Sequence, residues 1–151
     1  MLVSAIYSPE FTTISPDETL GHVLCLMPSI RSKLLYVTGP DGRLLGVVSS
    51  FDLLKVMLPE FLDANLARSV SGGDNLLLQA FTEHSGTKVS EVMTRKVVSC
   101  KPDDTVLELN ALIRESAVNV LPVVDAAGKL LGEVTRRDIL NAVAKICCAS
   151  S

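Results

Sequence analysis

Apolar residues recur along this chain in two alternating rhythms. At helical spacing they run through Val23, Leu24 and Met27, and again through Leu107, Leu109, Leu112 and Ile113, which predicts an amphipathic helix in each region. Short continuous apolar runs follow, Leu34 to Val37 and Val120 to Val124, and read as buried strands. A turn then carries Gly42 or Gly128, and a second run ends at Ser49 or Thr135, where a final helix begins. The Asp41-Gly42 pair is a strong hairpin signal. Pro16 and Pro102 are expected in the first turn of the earlier helices, where a missing amide proton is tolerated. Pro28 should end or kink the first of them. Each region therefore reads strand, helix, strand, strand, helix.

The two regions are copies of one unit. A shift of 86 residues lays 3–56 on 89–142 without a gap: VSAIYS falls on VSEVMT, SPDETL on KPDDTV, and DGRLLGVVSSFDLL on AGKLLGEVTRRDIL. Self-similarity at a fixed offset means a repeated supersecondary unit. The expected organisation is repeat one over 3–56, a linker over 57–88, repeat two over 89–142 and a C-terminal tail over 143–151. The linker holds Pro59, a Ser-Gly-Gly turn at 71–73 and a helical pattern from Asn75 to Phe81, with Asp74 expected as its cap. One three-stranded sheet has an apolar face to hide. The expected fold is therefore α/β of the α+β type, two βαββα repeats packed sheet to sheet about a pseudo-twofold axis.

Composition narrows the class. With 151 residues and 48% hydrophobic positions the chain can bury a real core. Its 14 basic and 17 acidic residues leave a net charge of −3, which argues against a broad nucleic-acid or anionic-membrane footprint. No apolar run nears the roughly 18 residues of a membrane span, and MLVSAIYS lacks the basic start and long apolar stretch of a signal peptide. The cytoplasm is the expected location. The spacings of Cys25, Cys100, Cys147 and Cys148 fit neither a zinc ligand set nor a redox pair. Cys25 and Cys100 are expected in the core, and Cys147 and Cys148 on a frayed tail. His22 and His84 stand apart from other ligands, so no metal site is expected. Neither a glycine-rich phosphate loop nor a dinucleotide fingerprint is present, and no nucleophile, base and organiser gather in the sequence. The chain does not read as an enzyme.

The candidate chemistry sits where the last helix of each repeat begins. Thr135 reads as an N-cap and Asp138 as the carboxylate closing a capping box. Arg136 and Arg137 then occupy a first turn whose partial positive charge disfavours cations unless an anion lies close. The arginines are read equally as solvated, or as pairing with Glu133 or Asp138. Gly46 and Gly132 carry two readings, close packing and room for a ligand.

These residues bring in a family. Two βαββα copies with GVVSSFD and GEVTRRD after a DG or AG hairpin, and LPVVD at 121–125, closely resemble a tandem pair of CBS (cystathionine-β-synthase) domains, a Bateman module. The resemblance implies a regulatory module that binds an adenosine-containing ligand, AMP, ADP, ATP or S-adenosylmethionine, between the repeats, requires no cofactor, and signals to an effector protein. By the same resemblance Asp138 would hold the ribose hydroxyls, Thr135 the ribose or phosphate, and Arg136 and Arg137 the phosphates, with adenine against Thr13, Ile14, Lys33 and Leu34. A second cleft would pair Ser49 and Asp52 with Ser99, Cys100, Asn119 and Val120. There Ser50 and Phe51 replace the arginines, so the Arg136/Arg137 cleft is expected to dominate, or the second cleft to accept a less charged ligand. Tyr36 stands where copy two has Pro122 and reads as core. Paired modules of this kind also imply a homodimer, through the helices after Pro16, Ser49, Pro102 and Thr135. Two further readings stay open: a ligand-free assembly module, and a thiol-dependent enzyme using Cys25 or Cys100.

Overall fold

The structure, a computed structural model, describes residues 1–30, 34–56, 58 and 62–149. Repeat one forms β1 (Thr12–Ile14), α1 (Leu20–Leu26), β2 (Leu34–Thr38), β3 (Leu44–Ser49) and α2 (Ser50–Val56). The linker contributes α3 (Ala64–Ser69) and α4 (Gly73–His84). Repeat two follows with α5 (Val89–Val92), α6 (Val106–Ser116), β4 (Val120–Val124), β5 (Leu130–Thr135) and α7 (Arg136–Cys148). Strand β1 pairs parallel with β2, which pairs antiparallel with β3. In repeat two the matching first strand has shrunk to a single parallel bridge between Cys100 and Val123 beside the β4–β5 hairpin.

Local chemistry moves several expected boundaries. The first helices begin after Thr19 and Thr105, later than Pro16 and Pro102 suggest, because each threonine accepts the amide three residues on, at 3.3 Å from His22 and 3.2 Å from Glu108. Thr105 with Glu108 makes a full capping box. The prolines instead lie in the preceding turns. Helix α1 gives way after Leu26 to a 3-10 turn over Met27–Ser29, as Pro28 requires. Helix α4 starts earlier than expected: left-handed Gly72 precedes it and Asp74 lies in its first turn, where the carboxylate meets the helix dipole without capping. Helix α7 runs on to Cys148, so Cys147 and Cys148 are helical and exposed. Cys25 is exposed too, on α1, and is not a core residue.

The two sheets meet face to face. Tyr36, Val124 and Leu130 form a buried cluster with Phe11, Leu34, Leu44 and Val47 packed around it. At the edge, the Leu44 amide donates to Gly128 O at 3.0 Å and the Leu130 amide to Gly42 O at 3.2 Å. The shift of 86 residues exchanges these two bonds, which makes the pseudo-twofold explicit. Gly42 and Gly128 hold φ of 82° and 83°, the left-handed conformation that the hairpin turns demand.

The start of each sequence copy packs on the other copy. Val3 is fully buried in the repeat-two core with Leu109 and Val134, and Val89 is fully buried in the repeat-one core with Leu35 and Val48. Backbone bonds repeat the exchange: Ser4 N–H to Pro102 O at 2.9 Å and Ser90 N–H to Pro16 O at 3.0 Å; Ser8 with Glu133 and Thr94 with Val47 as two-way bridges. Here lies the reason for Gly46 and Gly132. A Cβ on Gly132 would stand 2.1 Å from Ser8 O, and one on Gly46 2.8 Å from Thr94 O. The close-packing reading of these glycines accounts for both.

Candidate functional site

The expected capping box at Thr135 forms, and its repeat-one counterpart at Ser49 forms as well. The Thr135 amide and hydroxyl each donate to Asp138 Oδ2 at 2.8 Å, and the Asp138 amide returns to Thr135 Oγ1 at 3.2 Å. In repeat one the Ser49 amide donates to Asp52 Oδ2 at 2.9 Å and the Asp52 amide to Ser49 Oγ at 3.1 Å. In each box only Oδ2 is engaged by the described residues, which leaves Oδ1 to accept from a ligand hydroxyl.

A cleft of about 630 Å³ opens between the repeats beside the repeat-one box. Ser49, Ser50, Phe51 and Asp52 form one side, and Ala117, Val118, Asn119 and Val120 the other. Residues 94–98, which follow the exchanged α5 segment, supply the third wall through Thr94, Lys96, Val97 and Val98, and Met27, Leu34, Val47 and Pro122 complete the lining. Of the second cleft expected from sequence, Ser49, Asp52, Asn119 and Val120 come together here. Ser99 is exposed elsewhere. Cys100 is inside the repeat-two core at 2% exposure, with Sγ 3.6 Å from Pro122 O. Burial, with a smaller push from Asp104, raises its thiol to about 12, so it stays protonated and inert. Lys96 and residues 94–98 were missed by sequence reasoning. No pattern in the residues themselves says that this segment passes Gly46 and leads into the cleft wall.

The residues expected in the arginine-flanked cleft are more dispersed. Thr135 and Asp138 are half-buried and Arg137 is exposed. Thr13 is exposed on β1, whereas Ile14 is buried in the repeat-one core. Leu34 lines the cleft described above, and Lys33 lies outside the described residues. Arg136 turns away from the carboxylates: its Nε–H donates to Val118 O at 3.0 Å and its amide to Asn119 O at 3.1 Å. Nearby, the buried Tyr36 hydroxyl donates to Glu133 Oε2 at 2.5 Å, with the Phe11 ring edge-on to Tyr36 at 6.3 Å. Burial first, and then the Glu133 hydrogen bond, push the Tyr36 phenol well above its usual range. Among the described residues no cluster of His, Cys, Asp and Glu could hold a metal ion, and no helix is long and apolar enough to cross a membrane.

Two repeats clasped about a pseudo-twofold, with a cleft between them beside a capping box, define a tandem-repeat fold. The CBS-domain profile matches residues 3–59 and again 89–145, and the chain belongs to the CBS-domain family as a tandem pair. It is 35% identical to the uncharacterized protein MJ1426 of Methanocaldococcus jannaschii, covering 84% of this chain and 82% of that one. It is 31% identical to a CBS domain-containing protein of Dictyostelium discoideum, covering 97% and 93%. Among solved structures it is similar to CBSX2 of Arabidopsis thaliana in complex with AMP, with a TM-score of 0.72, 25% identity, and 96% and 97% coverage. The cytosolic domain of the Mg2+ channel MgtE in complex with ATP gives a TM-score of 0.67 at 28% identity, over 91% of this chain and 46% of that one.

Proposed function

We propose that the chain is a regulatory module that binds an adenosine-containing ligand in the cleft between its repeats and passes occupancy to a partner protein, working in the cytoplasm. The observation that carries this reading is the 630 Å³ cleft in which the Asp52 carboxylate faces largely apolar walls. Val97, Val98 and Val120 suit the faces of a purine, while Asp52 Oδ1 suits the vicinal hydroxyls of a ribose. The AMP and ATP complexes of the similar proteins support an adenine nucleotide, and S-adenosylmethionine shares the same adenosine. The ligand is bound and not transformed. Because the walls come from both repeats, a ligand that touches Asp52 and Val120 together favours one spacing of the two repeats, and differential affinity for that spacing is the signal.

In the same reading the module pairs as a homodimer through α1, α2, α6 and α7. Phe51 and Leu54 on α2 are 63% and 66% exposed, Leu107 on α6 79%, and Leu140 on α7 62%. Apolar area of this kind on helix faces is a candidate subunit contact. Calorimetric titration with AMP, ADP, ATP and S-adenosylmethionine tests the ligand reading. Saturable heat from at least one of them, lost in Asp52→Ala, is expected; heat from none would overturn it in favour of an assembly module.

A further inference from the structure

Helix α2 carries its cation one turn later than helix α7 does. The shift of 86 residues lays Phe51 on Arg137 and Lys55 on Asn141, so repeat one has a ring where repeat two has a guanidinium, and a lysine where repeat two has an uncharged amide. Residues four apart on a helix are neighbours on one face. The structure joins this pair directly: Lys55 Nζ lies 4.6 Å from the centroid of the Phe51 ring. That ring lines the cleft beside Ser49 and Asp52 and is still 63% exposed. Lys55 is exposed as well, and among the described residues the ring is the partner its ammonium has.

We propose that Lys55 is the phosphate anchor of the Ser49/Asp52 cleft, that Phe51 is its positioning residue, and that the cleft takes a phosphorylated adenosine in preference to adenosine or S-adenosylmethionine. This rests on the adenosine reading above. A ligand whose ribose meets Asp52 lies against the neighbouring Phe51 ring, and its phosphate is then within reach of a lysine already held over that ring. An exposed cation–π contact is weak, whereas an ammonium on a phosphate makes a charge-assisted hydrogen bond. The ligand therefore takes Lys55 over from the ring at little cost. Until then the ring keeps a long side chain beside the cleft, which lowers the ordering entropy that binding costs. Lys96 on the third wall has the same sign. S-adenosylmethionine places a sulfonium where a phosphate would stand, and so meets like charge. Phe51 in place of an arginine thus moves the positive charge along the helix without removing it.

Calorimetry on the full chain with AMP, ATP, adenosine and S-adenosylmethionine tests this. The parent should bind AMP more tightly than adenosine or S-adenosylmethionine. Lys55→Met keeps the stem and removes the charge; it should weaken AMP roughly three- to fivefold while adenosine stays within about 1.5-fold, since an exposed charge acts on the phosphate alone. Phe51→Leu keeps an apolar side chain on α2 and removes the ring. It should cut the ratio of AMP to adenosine affinity by about as much as Lys55→Met does, and the double variant should cut it no further, as expected of two residues that act as one unit. Added salt should shrink that ratio more in the parent than in Lys55→Met. Unchanged AMP affinity in Lys55→Met, equal losses of AMP and adenosine, a ratio that survives Phe51→Leu, or S-adenosylmethionine bound more tightly than AMP would each overturn the anchor and leave the adenosine reading standing. Heat from none of the four ligands with the parent would overturn both.

Discussion

Arg136→Ala tests what the arginine beside the N-cap is for. Helix α6 ends at Ala117, which sits in the left-handed region at φ 53°, so the carbonyls that follow find no helical donor. Arg136 supplies two: its Nε–H reaches Val118 O at 3.0 Å and its amide Asn119 O at 3.1 Å. A charge-assisted bond contributes about 1.5 to 3 kcal/mol when shielded, and the exposure of this side chain reduces that. Removing a cation from a helix N-terminus returns about 0.3 to 1 kcal/mol. The net expectation is a loss of about 0.5 to 1.5 kcal/mol, which for a chain of this size lowers Tm by roughly 2 to 4 °C per kcal/mol. The amide bond survives in the variant, so the 117–119 turn loosens without detaching. Since Ala117, Val118 and Asn119 form one wall of the cleft, AMP affinity should fall along with stability. Arg137, exposed beside it, is the control, with a change of about 0.3 kcal/mol or less on alanine substitution. Urea denaturation of both variants, with AMP calorimetry on each, measures this. Equal stability of Arg136→Ala and the parent, or equal losses in both variants, would refute the bracing role.

Gly132→Ala should destabilise by about 3 kcal/mol or more, because its Cβ would meet the Ser8 carbonyl at 2.1 Å, and Gly46→Ala by less; urea midpoints that rank the other way would contradict the exchange. Tyr36→Phe should cost about 1.5 to 3 kcal/mol by removing a buried donor from Glu133, and an unchanged midpoint would show the bond to be idle. Thiol titration of the native chain should label Cys25, Cys147 and Cys148 and spare Cys100 until unfolding. The Cys100 thiol is held protonated up to about 12 against an ordinary 9.0. Its contribution to stability is therefore complete below about pH 9 and is lost as pH rises towards about 12, and Cys100→Ala should flatten that part of the profile. Light scattering should give twice the 16.2 kDa chain mass; a monomer across micromolar concentrations would remove the homodimer.

Much of this was legible in the residues. The offset of 86, the Asp41-Gly42 turn and the Thr135/Asp138 box are local or periodic signals, and each formed as expected. Thr105 with Glu108 was legible too, yet Pro102 drew attention away from it, although a capping box positions a helix start more strongly than a nearby proline. What the pattern did not carry was which copy each opening segment would join. VSAIYS has the same affinity for a repeat core wherever it comes from, and only three-dimensional closure sends it to repeat two. The same limit hid Lys96 and the Tyr36–Glu133 bond, a contact between residues in different repeats that no single window displays.

The exchanged opening segments have a consequence for synthesis. Residues 3–8 leave the ribosome before anything else in the fold, but the surface they complete, around Leu109 and Val134, is made more than a hundred residues later. At roughly 5 to 20 residues per second, that segment waits several seconds without its partner. Repeat one, by contrast, is completed as soon as Val89 and Met93 emerge. The opening segment of repeat one is thus the last part of this fold to settle, and a nick in the linker would leave the two halves clasped, each still holding the other's opening segment.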